Sequence, residues 1–170
     1  MDDPRRSTPD RRNLLTKEGK RLLEQRAARL RDEVIPQIAA RLGESDRDAQ
    51  IEAEYARATD ELNDAEYLLR HATVAEDVPG DPQVIEIGDR VTVRFEDGTT
   101  GTHLIVNPIE AALDDVRISA DSPLARAVLG HRVGEEVRVD APGGSYRCAI
   151  VAAELLDETG ARVARSSAED

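Results

Sequence analysis

The chain has 170 residues, of which 39% are hydrophobic, 34% are charged and 2% are aromatic, and its formal net charge at pH 7 is -12. This length accommodates one ordinary domain or two small units, and the high charged fraction favours long solvated helices over one thick core. Because an acidic chain is repelled by bulk DNA and RNA, sequence-independent binding to phosphate backbones is disfavoured. The single cysteine excludes an intrachain disulfide, and no apolar run reaches the length of a membrane span, so a cytoplasmic protein without membrane contact is expected.

The N-terminal part of the sequence changes from an irregular charged arm to a helical repeat. Residues 1–13 carry four arginines and two prolines without periodicity, which predicts a disordered arm. A helix is expected from about Leu14, with Thr16 as its N-cap and with a local bend at Pro36, which lacks a backbone N–H. Its apolar stripe recurs at steps of three or four residues and consists of Leu23, Ala27, Leu30, Val34 and Ile38.

A second helical repeat runs from about Ala49 to Ala72 and follows a polar break that begins at Gly43. Its apolar residues alternate steps of four and three, which is the spacing of a heptad seam. Two helices of similar length and a short polar link predict an antiparallel coiled-coil hairpin over residues 14–74, with an acidic tip at 43–48. The seam of the second helix consists of Ile51, Tyr55, Ala58, Leu62, Ala65 and Leu69.

The hydrophobic period changes from helical to two after a segment rich in proline, glycine and acids. Residues 75–86 are therefore predicted to be a linker, and residues 87–156 a small antiparallel β domain with one short helix. That helix is expected over Leu124–Leu129, with Ser122 as its N-cap. Residues 157–170 return to a polar composition and predict a disordered tail. The fold class is accordingly α+β.

Side chains that could support catalysis are scattered along the chain. His71, His103 and His131 lie on different predicted elements without the spacing of paired metal ligands, so surface or turn positions are expected. Cys148 alternates with apolar neighbours in a predicted strand, which is typical of a small core residue. Since the sequence also has no glycine-rich phosphate-binding loop, it predicts no self-contained enzyme and no cofactor of its own.

The predicted tip gathers three carboxylates, Glu44, Asp46 and Asp48, within five residues. A solvated loop is one interpretation, because acidic residues are common in turns. The alternative is a set of oxygen ligands for Mg²⁺, a hard cation that often needs only one or two protein carboxylates when phosphates supply the remaining ligands. That alternative requires a partner that already holds the metal.

Three C-terminal segments of the sequence resemble the GreA/GreB transcript cleavage factor family in order and spacing. They are Ile118–Gly130, Val133–Val137 and Ala141–Gly144, and the similarity extends over about residues 14–156. In the hairpin it includes Arg31-x-Glu33 and Ala53-Glu54-Tyr55.

The resemblance implies a fold, a partner and a mode of action. The family's C-terminal domain is FKBP-like and binds the rim of the RNA polymerase secondary channel, while its coiled coil passes down the channel. Tip acids there help to hold a second Mg²⁺ in the polymerase active centre, which then cleaves backtracked RNA. By this resemblance Asp121, Ser122 and Pro123 match the docking segment, the tip acids are the Mg²⁺ ligands, and the nascent RNA 3′ end is contacted indirectly. We expect a monomer.

The tip departs from the family pattern of an aspartate followed three residues later by a glutamate. Counting back from Tyr55 places Asp48 at the aspartate position and Ile51 at the glutamate position. Counting forward from Gly43 instead places Glu44 at the aspartate position and Arg47 at the glutamate position, so neither register keeps both acids. Three hypotheses follow: a channel-binding regulator that inhibits transcription, a true cleavage factor, or an interaction module of the nucleoside diphosphate kinase regulator type. The last shares the C-terminal domain with the family and does not insert into polymerase.

Overall fold

The computed structural model describes residues 13–44, 48–157 and 159–167. The predicted disordered arm therefore lies outside the described residues except for Asn13, and so does Asp46 of the predicted tip. None of the helices in the described part of the chain combines the length and the apolar character that a membrane span requires.

The chain divides into two compact units, a helical unit of Glu18–Ala72 and a β-rich unit that comprises Met1–Lys17 and Thr73–Asp170. This division agrees with the predicted α+β class. The helical unit has two arms separated by the tip. The first arm consists of α1 (Lys17–Arg29), a π-helical turn (Leu30–Val34) and α2 (Ile35–Glu44), and the second arm is α3 (Ala49–His71).

The π-helical turn lies where the sequence predicts a bend at Pro36. The Ile35 N–H donates to the Leu30 carbonyl five residues earlier, instead of four as in an α-helix. Because proline has no N–H and its ring collides with the carbonyl four residues before it, the wider turn accommodates Pro36. The turn also keeps the apolar stripe of the first arm on one side. Four residues of α-helix rotate roughly 40° beyond one full turn, which would move the stripe around the helix. Leu30 and Ile38 nevertheless both lie buried, with 1% and 4% of their surface exposed.

The two arms pack through an apolar cluster and several surface ion pairs. Ile51 and Ala58 of α3 are buried with Leu30 and Ile38 of the first arm, as the seam predicts. At the far end of α3, however, Leu68 rather than Leu69 is buried. The order of two ion pairs is that of antiparallel arms, with Arg41 Nη1 at 3.1 Å from Glu54 Oε2 near the tip and Arg31 Nη2 at 2.5 Å from Glu66 Oε1 farther away.

The strands and α-helices of the β-rich unit are β1 (Leu14–Leu15), β2 (Thr73–Val74), β3 (Arg90–Phe95), β4 (Thr100–Val106), α4 (Pro108–Ala111), β5 (Arg117–Ser119), α5 (Pro123–Val128), β6 (Glu136–Ala141), β7 (Gly144–Leu156) and β8 (Arg162–Ser166). Six of these strands form one curled sheet with the strand order β5-β4-β3-β7-β6, and β8 pairs with β7.

The prediction of an antiparallel sheet with one helix is wrong in two respects. β4 and β5 are parallel and are connected through the short helix α4, and α4 is a second helix in addition to α5.

Alternation along the central strands builds the core of this unit. Val91 and Val93 of β3 are fully buried, whereas Arg90 and Arg94 on either side of them are exposed. Helix α5 covers the same face of the sheet and begins as predicted, with the Ser122 hydroxyl accepting from the Ala125 N–H at 3.2 Å. The core consists of Ile85, Val91, Val93, Ile105, Ala125, Val128, Val137, Val139, Cys148, Ile150, Ala153 and Leu155.

Several predicted boundaries differ from the structure. Leu14 and Leu15, expected to begin the hairpin, form β1 and pair in parallel with β2 in the β-rich unit. The predicted linker contributes Ala75 and Ile85 to the buried residues. The predicted disordered tail contains β8, which pairs with the second half of β7 because β6 pairs only with the first half.

Candidate functional site

Asp48 occupies the start of α3 at the tip. It is exposed, has extended backbone angles and acts as the N-cap, since its Oδ1 accepts from the Gln50 N–H at 2.9 Å. Its backbone carbonyl accepts from the Glu52 N–H at 3.0 Å, which closes the first turn. The other carboxylate oxygen has no hydrogen-bond partner among the residues that the structure describes, so Asp48 presents one oxygen to solvent.

The structure places only part of the predicted carboxylate group. Glu44 is the last residue of α2, and the position of its side chain is not described, while Asp46 lies in the gap 45–47. Within the described ranges, no group of three or more histidine, cysteine, aspartate or glutamate side chains could hold a metal ion. Asp48 fits the role of one oxygen ligand to an ion whose remaining ligands come from elsewhere.

The segment Asp121-Ser122-Pro123 forms a fixed turn between β5 and α5. The Asp121 N–H donates to Ser119 Oγ at 3.1 Å, and the Ser122 N–H donates to the Ser119 carbonyl at 2.9 Å. Pro123 occupies the first helical position, where its missing N–H costs nothing. Ser122 and Pro123 are half-buried, whereas Asp121 is exposed. The turn thus holds the Asp121 carboxylate outward on a rigid support, and the capping role of Ser122 is compatible with a role in binding.

The three histidines lie on different elements, as predicted, but the expected surface or turn position is wrong for His103, which lies within β4. His71 is exposed, with Nδ1 at 2.7 Å from the Tyr67 carbonyl oxygen, and His131 Nδ1 lies 2.5 Å from Glu135 Oε2. His103 is half-buried, and desolvation lowers the pKa of its imidazole. Cys148 is 3% exposed, and burial raises the pKa of its thiol, which fits the predicted core position.

Two buried carboxylates of the β-rich unit were missed by the sequence analysis. Asp89 is 1% exposed and accepts from the Glu86 and Leu156 N–H groups, each at 2.7 Å. Burial raises the pKa of Asp89 to about 7. Glu110 is fully buried in α4 and pairs with Arg117. The sequence signals α4 through Asn107-Pro108, an N-cap followed by a first-turn proline, but offers no sign that its glutamate points inward.

Comparisons with known proteins agree on one family. Residues 80–155 match the family described as "Transcription elongation factor, GreA/GreB, C-term". The chain is 37% identical over 150 residues to transcription elongation factor GreA of Geobacillus kaustophilus, with 81% of this chain and 94% of that protein covered. It is 32% identical over 159 residues to transcription elongation factor GreA of Oceanobacillus iheyensis, with 86% of this chain and 99% of that protein covered.

Solved structures superpose only weakly on this chain. The crystal structure of GreA factor homolog 1 of Thermus thermophilus is 32% identical to this chain, covers 82% of it and is itself covered to 97%. Its TM-score of 0.37 is low, so the assignment depends on the sequence relatives.

Proposed function

The chain belongs to the GreA/GreB family of transcription elongation factors, and we propose that it binds RNA polymerase through its β-rich unit and inserts its helical hairpin into the secondary channel. A member of this family acts on transcription without being an enzyme in its own right. In this proposal the β-rich unit has the FKBP-like character of the family, docks at the channel rim as a monomer, and contacts the nascent RNA 3′ end only through the tip.

The observation that carries the proposal is the exposed Asp48 carboxylate at the start of α3, at the tip end of two long helical arms. Helix α3 alone has 23 residues and is therefore roughly 35 Å long. A narrow hairpin of this kind can reach an enclosed active centre that a globular unit cannot enter. Asp48, assisted by Asp46 and Glu44, would offer oxygen ligands to the polymerase's own Mg²⁺, so the chain needs no cofactor of its own.

We further propose that the outcome is inhibition rather than efficient RNA cleavage. When Asp48 takes the first acidic position of the family pattern, the second position falls on Ile51, which is 8% exposed and packs in the seam. A buried isoleucine offers no oxygen to a metal. Since Mg²⁺ demands near-ideal octahedral geometry, tip carboxylates that lack the family's spaced pair would occupy or displace the ion without completing the cleavage site.

Backtracked elongation complexes with Mg²⁺ test the proposal. The full-length chain should slow RNA synthesis while the RNA stays intact, whereas short 3′ RNA fragments would show that it is a cleavage factor. Asp48→Ala should abolish the slowing with little loss of affinity for core polymerase. The control Asp60→Ala removes an exposed acid of α3 outside the tip and should behave as the unaltered chain. Failure of the chain to bind core polymerase would favour an interaction module with another partner.

Docking is tested separately at the turn before α5. Asp121→Lys reverses an exposed charge on the proposed contact and should weaken binding to core polymerase by at least about tenfold. The control Asp115→Lys reverses another exposed acid of the same unit and should leave the affinity unchanged. Equal losses for the two variants would mean that binding depends on overall charge rather than on this turn.

A further inference from the structure

Glu110 is a charged side chain with no exposed surface in the β-rich unit. Its Oε2 accepts from the Thr16 backbone N–H at 3.0 Å, and its Oε1 accepts from the Thr16 hydroxyl at 2.5 Å. Arg117, whose side chain is 6% exposed, donates from Nε to Glu110 Oε1 at 3.1 Å and pairs through Nη1 with Asp114. We call Thr16, Glu110 and Arg117 the latch.

A buried ion pair contributes little net stability to a core. Desolvation of two charges offsets most of their mutual attraction, and apolar side chains of similar volume often stabilise a core equally well. The Glu110 carboxylate instead accepts from both hydrogen-bond donors of one distant residue, Thr16, at a separation of 94 positions in sequence. The latch therefore specifies where the Thr16 segment sits in the β-rich unit.

Further contacts hold the same segment of chain. Leu14 and Leu15 pair with β2 and are 6% and 0% exposed. The Lys17 N–H, at the first position of α1, donates to Glu76 Oε2 at 3.0 Å. Two carboxylates of the β-rich unit thus receive successive amides at the start of α1, where the helix dipole favours negative charge.

We propose that Glu110 is a positioning residue for the tip, acting through Thr16. All atoms of the latch belong to the β-rich unit, and the chain passes into the helical unit immediately after Lys17. This inference rests on the proposed function, in which the β-rich unit provides the affinity and the tip provides the effect. A latch at the point where the chain leaves the docked unit limits the freedom of the hairpin, so that docking places the tip reproducibly.

Variants of Thr16 separate positioning from folding. Thr16→Val removes the hydroxyl that binds Glu110 and keeps the shape of the side chain, whereas Thr16→Ser keeps the hydroxyl. The affinity of Thr16→Val for core polymerase should stay within about twofold of that of the unaltered chain. Its inhibition of RNA synthesis at saturating protein should be about fivefold weaker, as expected for the loss of one hydrogen bond. Thr16→Ser should restore the inhibition. The control Thr102→Val removes an exposed hydrogen bond between the hydroxyl groups of Thr92 and Thr102, which are 2.9 Å apart, and should change neither the affinity nor the inhibition.

Hydrogen exchange in the free protein tests the latch without polymerase. In Glu110→Gln and in Thr16→Val, the amides of Thr16 and Lys17 should exchange at least about fivefold faster, while core amides of β3 and β7 keep their protection. Unchanged exchange at Thr16 would overturn the latch whatever the transcription assay gives. Equal losses of affinity and inhibition in Thr16→Val would also overturn it. If the unaltered chain neither binds polymerase nor slows it, the proposed function itself fails.

Discussion

At the scale of single residues, the buried acids of the β-rich unit govern both stability and geometry. Asp89 accepts from the N–H of Glu86 in the turn before β3 and from the N–H of Leu156 at the end of β7, so it joins two segments far apart in sequence. Burial disfavours the charged form of the Asp89 carboxyl group and raises its pKa to about 7. Glu110 is instead paired with Arg117, whose Nε lies 3.1 Å from its Oε1.

Asp89 predicts a pH dependence of stability with a definite sign. Because its pKa in the folded protein is above the value of about 4 expected for the unfolded chain, the folded state binds the proton more readily between those values. The contribution of Asp89 protonation to the free energy of unfolding is therefore fully present below about pH 4 and is lost as the pH rises to about 7. The loss amounts to up to about 4 kcal/mol.

Urea unfolding of the unaltered chain and of Asp89→Asn at pH 5 and pH 8 measures this effect. The free energy of unfolding lost in Asp89→Asn should be larger at pH 5, where the native side chain is neutral, than at pH 8. Comparison with Asp60→Asn, an exposed acid, removes the general effect of one charge. A loss that is equal at the two pH values would mean that Asp89 is ionised in the folded state throughout.

At the scale of elements, periodicity predicted the helices and central strands well and failed at short edge segments. The stripes around Leu30 and Ile51 and the alternation of β3 are long enough to show a period. β1 has two residues and β8 has five in a polar tail, so their pairing is decided by which sheet edge remains open. The π-helical turn was recognised only as a disturbance at Pro36, because a sequence does not reveal how a helix accommodates a proline.

The turn before β8, a strand that the sequence did not predict, contains a glycine at a close backbone approach. Gly160 has φ 78°, and a Cβ placed there would overlap the Glu76 carbonyl oxygen. Gly98 has φ 83° and open space around the corresponding position. Gly160→Ala should therefore lower the free energy of unfolding by about 2 kcal/mol more than Gly98→Ala, since only the first adds a backbone clash to the strain of a positive φ. Thermal or urea unfolding measures both, and equal losses would show that the turn yields easily.

At the scale of the whole molecule, the sequence predicted two units, and it predicted the local geometry of the turn before α5 more fully than that of the tip. Asp121, Ser122 and Pro123 lie in one local turn whose capping residues are adjacent in sequence, so their geometry follows from local rules. The tip acids stand on either side of a break between helices, where spacing alone does not fix side-chain positions. The latch escaped prediction because Thr16 and Glu110 are brought together only by the tertiary fold.

In the proposed complex the tip reaches the metal of the polymerase active centre while the β-rich unit binds the channel rim. Replacement of the active-centre Mg²⁺ by Fe²⁺ in a complex with core polymerase, followed by peroxide, generates hydroxyl radicals that cut nearby protein. We expect cuts in this chain close to residues 44–48, and their loss with Asp121→Lys but not with Asp115→Lys. Cuts confined to the β-rich unit, or none in a complex shown to be saturated, would overturn this placement of the tip.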